Sequence, residues 1–130
     1  MQIASRQFAD TTVAALSGSL DHASAVAFEA AVMPLLAQVG TAKGSLVLDF
    51  AGVDYISSVG LRVLMIASKQ VRAQQTQLIV AAPQSVVAEI FTISRFNKVL
   101  TLTASLPDAL ALCSPAAQSE FAAFTAQGGA

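Results

Sequence analysis

The sequence predicts a single α/β domain with a mostly parallel sheet, and three observations support this fold class. The chain has 130 residues, enough for one domain with its own core and too few for two ordinary domains. Strand-like and helix-like patterns alternate along it, as expected where helices cover a parallel sheet. Residues 45–50 form a nearly continuous apolar run, typical of a strand buried on both faces. We expect roughly four to five strands, about four flanking helices and an antiparallel strand at the N-terminus.

The N-terminal segments predict a hairpin and then a helix. Residues 3–8 and 13–16 have strand composition, and a polar turn at 10–12 predicts that they pair as a hairpin ending near Ser17 and Gly18. The following segment, 23–39, is apolar at the spacings of one helical face.

Three residues bear on the start and the continuity of this first helix. Asp21 and Ser24 are both candidates for its N-cap. Pro34 lies inside the segment, and because proline removes a helical hydrogen bond we expect a kink or a break there.

The rest of the domain continues the alternation of strands and helices. The predicted elements are a loop at 40–44, a strand at 45–50, a connection at 51–56, a helix at 58–74, a strand at 77–81, a helix from Pro83, a strand at 98–102 and a helix at 105–113. Ser105 and Asp108 have the spacing of a capping box, with aspartate in place of the usual glutamate.

The alanine-rich tail, residues 114–130, follows a domain that we place at residues 2–113. Either Phe121 and Phe124 dock a short extra helix, or the tail is disordered.

Composition and charge argue against several classes of protein. The formal net charge is −1 and there is no basic block, so direct nucleic-acid binding has little support. No uncharged apolar run approaches the roughly 18 residues of a membrane span, and the N-terminus lacks the order of a signal peptide. The lone cysteine, Cys113, fits a reducing compartment and is interpreted as packing. We therefore expect a cytoplasmic protein.

The search for enzyme chemistry finds little. His22 is the only histidine, with no second histidine or cysteine beside it to form a metal site, and there is no glycine-rich phosphate loop. Asp49 and Asp54 lie near a strand end, where loop polarity explains them equally well. The sequence predicts a protein that is not an enzyme, with no cofactor, metal or catalytic residue.

The turn at residues 57–60 is the most informative segment. Ser57 and Ser58 stand where the second helix begins, and on local physics alone one of them is an N-cap. A helix N-terminus also favours negative charge, so a phosphate on Ser58 would be tolerated there and would mainly alter the surface.

The second helix has an unusual pattern. Residues 61–67 are apolar on nearly every side, which indicates either that the helix is covered on both sides or that part of it is a docking face. Arg62, Lys69 and Arg72 share one stripe, which is either a solvated face or a partner-binding one.

Two motifs resemble one known family. Residues 49–64, DFAGVDYISSVGLRVL, resemble the signature of STAS domains, the fold of bacterial anti-sigma factor antagonists. Residues 18–21, Gly-Ser-Leu-Asp, resemble the family's Gly-x-Leu-Asp run after the second strand, and the order of elements matches over about residues 2–113. The commonest form of the first motif is Asp-Ser-Ser-Gly, where this chain has Ser57, Ser58, Val59 and Gly60.

The resemblance implies a partner-switching mechanism. In that family the serine opening the second helix is phosphorylated by an anti-sigma factor of the histidine-kinase-like ATPase type. The unphosphorylated domain binds this kinase and frees the sigma factor, and a PP2C-type phosphatase restores it. The phosphoacceptor corresponds to Ser58, with Ser57 as a rival, and Asp21 corresponds to an aspartate near the binding surface. The partner-binding residues expected on this basis are Asp21, Ser57, Ser58, Gly60, Leu61, Arg62, Met65 and Lys69.

Two functions from different classes follow. The first is an anti-sigma factor antagonist switched off by phosphorylation of Ser58. The second is a non-switching accessory subunit of a lipid-transport ABC complex, which would need the scaffold without the serine. Hydrophobic residues make up 55% of the chain, more than is usual, and this excess is compatible with a homodimer in either case.

Overall fold

The computed structural model of the chain describes residues 1–128 and confirms the α/β class with a mixed sheet. Within those residues five strands lie in sequence order, β1 Gln2–Phe8, β2 Thr11–Leu20, β3 Ser45–Ile56, β4 Gln77–Ala81 and β5 Thr101–Thr103. β1 pairs antiparallel with β2, and every other neighbouring pair is parallel. The antiparallel N-terminal hairpin is as predicted.

The helices lie on both faces of the sheet. They are α1 Ala25–Ala42, α2 Ser58–Gln74, α3 Ser85–Ile93, α4 Leu106–Ala111 and α5 Pro115–Ala126, with a short 3-10 helix at Phe96–Lys98. α1, α2 and α3 cover one face, where Phe28, Leu64 and Phe91 are fully buried with alternate side chains of β3. α4 and α5 cover part of the other face through a smaller cluster around Phe8 and Val47.

The predicted connection at 51–56 is wrong, because β3 continues through it to Ile56. β2 is also longer than predicted, and its residues 17–20 supply the hydrogen-bonding partner for the end of β3. Register shifts in this stretch place the buried β3 residues at Phe50, Val53 and Ile56, three apart. Because strands are predicted from alternation with a period of two, a segment with buried residues three apart is not recognised as a strand.

Of the kink or break predicted at Pro34, the break does not occur, since α1 runs unbroken from Ala25 to Ala42 and takes up part of the loop expected at 40–44. Pro34 is exposed, so the carbonyl of Ala30 that loses its helical donor is close to water. Among residues 1–128, α1 is the one helix with the length and composition of a membrane span, with a mean hydropathy of 1.4. Its Val32 and Leu36 are fully buried against the sheet.

Two elements after β4 also differ from the prediction. α3 begins at Ser85 rather than at Pro83. The strand predicted at 98–102 is replaced by the 3-10 helix and the three-residue β5. Arg95 has a φ of 65°, and this left-handed residue turns the chain so that Phe96 packs against the core.

The tail forms a docked helix over residues 115–126. Ser114 caps α5 by accepting from the Ala117 N–H at 3.1 Å and donates to Asp10 at 2.8 Å. Phe121 and Phe124 stack edge-on against Phe8, with ring centroids 5.4 Å and 5.5 Å away. Residues 129–130 lie outside the described part of the chain.

Candidate functional site

The serine turn lies where β3 passes into α2. Ser57 is the N-cap of α2, and its Oγ accepts a hydrogen bond from the Gly60 N–H at 3.2 Å. Its backbone N–H donates to the carbonyl of Leu20 at 2.7 Å. Ser57 is half-buried. Because its hydroxyl and its backbone N–H each make a hydrogen bond, both groups fix the conformation of the turn.

Ser58 occupies a different environment from its neighbour. It is the first residue of α2 and its side chain is exposed. The first turn of α2 carries no acidic residue, and the positive end of the helix dipole lies at this point. The hydroxyl that faces solvent in the turn is therefore that of Ser58.

Gly60 lets α2 approach the strand ends closely. A Cβ at this position would lie 2.9 Å from Cγ1 of Ile56 and 3.2 Å from the carbonyl oxygen of Leu20. The requirement is for space rather than for an unusual backbone conformation. Gly60 is buried, so it shapes the turn from beneath and offers little surface to a partner.

The sheet brings Asp21 to the same edge as the serine turn. Leu20 pairs with Ile56, and Asp21 and Ser57 are the residues that follow this pair. Asp21 and Ser24 bond reciprocally: the Asp21 carboxylate accepts from the Ser24 N–H at 2.9 Å, and the Ser24 hydroxyl accepts from the Asp21 N–H at 3.0 Å. The bond from the Ser24 N–H is the main cause that lowers the pKa of Asp21 below its ordinary value.

A side-chain bond between the two strand ends was not anticipated from the sequence. The Ser19 hydroxyl donates to the Asp54 carboxylate at 2.6 Å, and both residues flank the Leu20–Ile56 pair. Nothing in the pattern of residues signals this contact, because the two are 35 positions apart. Asp49 lies elsewhere, accepting from the Ala51 N–H at 3.0 Å, so the two aspartates do not form one site.

Comparison of the sequence with known proteins identifies a family and a relative. The family model for the STAS domain matches residues 2–109. The chain belongs to the STAS family. A protein of Bordetella bronchiseptica, named "Putative anti-sigma factor antagonist BtrV", is 38% identical over 93 residues, which are 72% of this chain and 78% of that protein.

Solved structures share the fold of this STAS domain. An anti-sigma factor antagonist from Mycobacterium paratuberculosis has a TM-score of 0.76 at 23% identity, with 85% of this chain and 92% of that chain covered. The Bacillus cell fate determinant SpoIIAA in its phosphorylated form has a TM-score of 0.63 at 18% identity, with 83% and 96% covered. At these identities the likeness concerns the fold.

The exposed side of α2 in this STAS domain carries most of the remaining residues that the sequence singled out. Arg62 and Lys69 are exposed, and Leu61 and Met65 are half-buried. The opposite side packs into the domain through Val63, Leu64, Ala67, Ser68 and Val71. The apolar run at 61–67 is thus divided, with part of it in the core and part at the surface.

Two other residues lie outside this region. Cys113 is half-buried and its thiol donates to the Ala109 carbonyl at 3.3 Å, while burial raises its pKa. His22 is exposed in the turn before α1. In the described part of the chain, no group of three or more histidine, cysteine, aspartate or glutamate side chains is arranged to hold a metal ion.

Proposed function

We propose that this STAS domain is an anti-sigma factor antagonist that binds an anti-sigma factor with serine kinase activity and is released when Ser58 is phosphorylated. The contrast between two adjacent serines carries the proposal. The hydroxyl of Ser57 is engaged in the cap of α2, whereas Ser58 is exposed at the first helical position. A kinase needs a hydroxyl that can enter its active site, and Ser58 meets this condition without any change in the fold.

The position of Ser58 also suits the product of the reaction. A phosphate adds roughly −1.5 to −2 charges. At the start of α2 the helix dipole favours this charge, and free backbone N–H groups are available to it. Phosphorylation would therefore alter the surface that a partner meets while leaving the domain folded, which is what a reversible switch requires.

The partner surface we propose is built from two neighbouring segments. One is the edge formed by Asp21, Ser57 and Ser58, which the Leu20–Ile56 pair brings together. The other is the exposed side of α2 with Arg62, Met65 and Lys69, bordered by Leu61, which is half-buried and packs against the core. Gly60 contributes by holding α2 against the strand ends rather than by contact. A PP2C-type phosphatase would act on the same exposed phosphate and restore binding.

The test combines phosphorylation with binding. The protein is incubated with the histidine-kinase-like serine kinase of its own organism and Mg-ATP, and the phosphate is mapped by mass spectrometry. We expect one phosphate on Ser58, none in Ser58→Ala, and weaker capture of the kinase by the phosphorylated form.

Variants at Ser57 provide the matched control. Aspartate caps helices as well as serine, so Ser57→Asp should retain both fold and phosphorylation, and Ser57→Ala should lose about 1 kcal/mol of stability while still accepting phosphate. A phosphate on Ser57, or no binding to such a kinase, would overturn the proposal. Stable co-purification with ABC-transporter subunits, unaffected by Ser58→Ala, would instead support the accessory-subunit function.

A further inference from the structure

The phosphoacceptor proposed above belongs to a continuous stripe along α2. Ser58, Arg62, Met65, Lys69 and Arg72 follow one another at spacings of four, three, four and three residues. This alternation keeps side chains on one line of an α-helix. All of them except the half-buried Met65 are exposed, and the opposite side of α2 is buried.

Within the stripe, Arg62 is the cation placed to meet a phosphate on Ser58. Residues four apart on a helix have Cβ atoms about 5–6 Å from each other, and the orientation with the anion nearer the N-terminus is the favourable one. Lys69 is eleven residues from Ser58, or about 16 Å along the helix axis, which exceeds the reach of its side chain.

Arg62 also has a competing environment in the unphosphorylated protein. It lines a groove between α1 and α2 together with Glu29, Val26 and Val59. Glu29 is exposed, as is Arg62, so the guanidinium is free to leave this groove at little cost. A phosphate, with up to two charges and three acceptor oxygens, is the stronger partner for it.

We infer that Arg62 changes its binding partner when Ser58 is phosphorylated. In the unphosphorylated protein it contacts the anti-sigma factor. After phosphorylation it forms an ion pair with the phosphate within α2 and no longer contacts the anti-sigma factor. The inference rests on the proposed function, because it assumes that Ser58 is the modified residue. It makes Arg62 a positioning and recognition residue, and it implies that the partner presents an acidic group to this end of α2.

The first experiment requires no kinase. Phosphoserine is installed at position 58 during translation, and the second pKa of the phosphate is measured by ³¹P NMR. In Arg62→Gln this pKa should rise by about 0.2–0.4 pH units, the size expected for loss of one helical ion pair. Lys69→Gln is the control and should leave it unchanged, because its charge lies too far along the helix from Ser58. An equal pKa in the parent protein and Arg62→Gln would overturn the inference.

The second experiment measures binding to the kinase with and without phosphoserine at position 58. Arg62→Gln should weaken binding of the unphosphorylated form by roughly fivefold and reduce the ratio of affinities between the two forms. Lys69→Gln should leave that ratio unchanged. A ratio unaffected by Arg62→Gln contradicts the inference even where the NMR shift is present. Failure of the kinase to modify Ser58 counts against the proposed function and leaves the NMR result intact.

Discussion

The hydroxyl of Ser19 donates to the carboxylate of Asp54 across 2.6 Å, joining the ends of β2 and β3 directly below the serine turn. Both residues lie beside the Leu20–Ile56 pair, beyond the last residue of β3 that pairs with β4. In this region β2 and β3 extend beyond the part of the sheet that includes β4, and the bond joins the two strands close to the start of α2.

Removing this bond should destabilise the domain measurably. We expect Ser19→Ala to lower the free energy of unfolding by about 1 kcal/mol, because a hydrogen bond to a charged acceptor is lost. A double-mutant cycle with Asp54→Ala, which removes the acceptor, followed by urea denaturation, should give a coupling energy of about 0.5–1 kcal/mol. Strictly additive effects of the two substitutions would show that the contact contributes nothing.

Gly60→Ala should destabilise the protein even though alanine is the better helix former. The new Cβ would lie 2.9 Å from Ile56 and 3.2 Å from the Leu20 backbone, and strain of this kind typically costs about 1–3 kcal/mol. Gly40→Ala is the matched control, because the atoms it would meet belong to the end of the flexible Gln74 side chain. Thermal denaturation should show a lower Tm for Gly60→Ala, and an equal or higher one for Gly40→Ala.

Asp21 should contribute stability that depends on pH. Its pKa in the folded protein is lowered from 3.8, chiefly by the bond from the Ser24 N–H. Its contribution is therefore present above the unfolded pKa and is lost as pH falls through the lower, folded pKa. Urea denaturation at decreasing pH should show a constant difference between parent protein and Asp21→Asn well above pH 3.8, and convergence of the two as the pH falls below that value. A difference that stays constant below that value as well would refute the assignment.

Docking of α5 should depend on its aromatic contacts with β1. Phe121→Ala removes an edge-on ring contact with Phe8 at 5.4 Å and part of the cover over the smaller core. Because Phe121 is only half-buried, we expect a loss of about 1–2 kcal/mol, less than for a fully buried ring. Limited proteolysis should then cleave within residues 115–126. Ala122→Ser, at an exposed position of α5, should leave both stability and proteolysis unchanged.

The sequence was most informative where one periodicity holds over a whole element. The apolar run at 45–50 and the buried face of α1 both predicted the right element, because a strand buried on both faces and a helix with one buried face each leave a regular pattern. The second half of β3 did not follow such a pattern, since register shifts opposite Ser17 and Ser19 space its buried residues three apart instead of two.

The site divides in the same way. The position of the serine turn at the start of α2 could be predicted, because an N-cap is a local signal. Which of Ser57 and Ser58 caps the helix and which is exposed could not be predicted, since this depends on which hydroxyl accepts the bond from the Gly60 N–H. The Ser19–Asp54 bond links residues 35 positions apart and requires the strand register to be known.

The bond from the Ser57 N–H to the Leu20 carbonyl, with Ile56 buried beneath it, has a kinetic consequence. A turn held in this way needs no rearrangement before a partner docks, so free and bound shapes of this end of the domain should differ little. The association rate would then be governed by diffusion and by charge, and it should fall as ionic strength rises. Under the proposed function, a phosphate at this turn would shorten the residence time of the bound partner, and its negative charge would also change the rate of association.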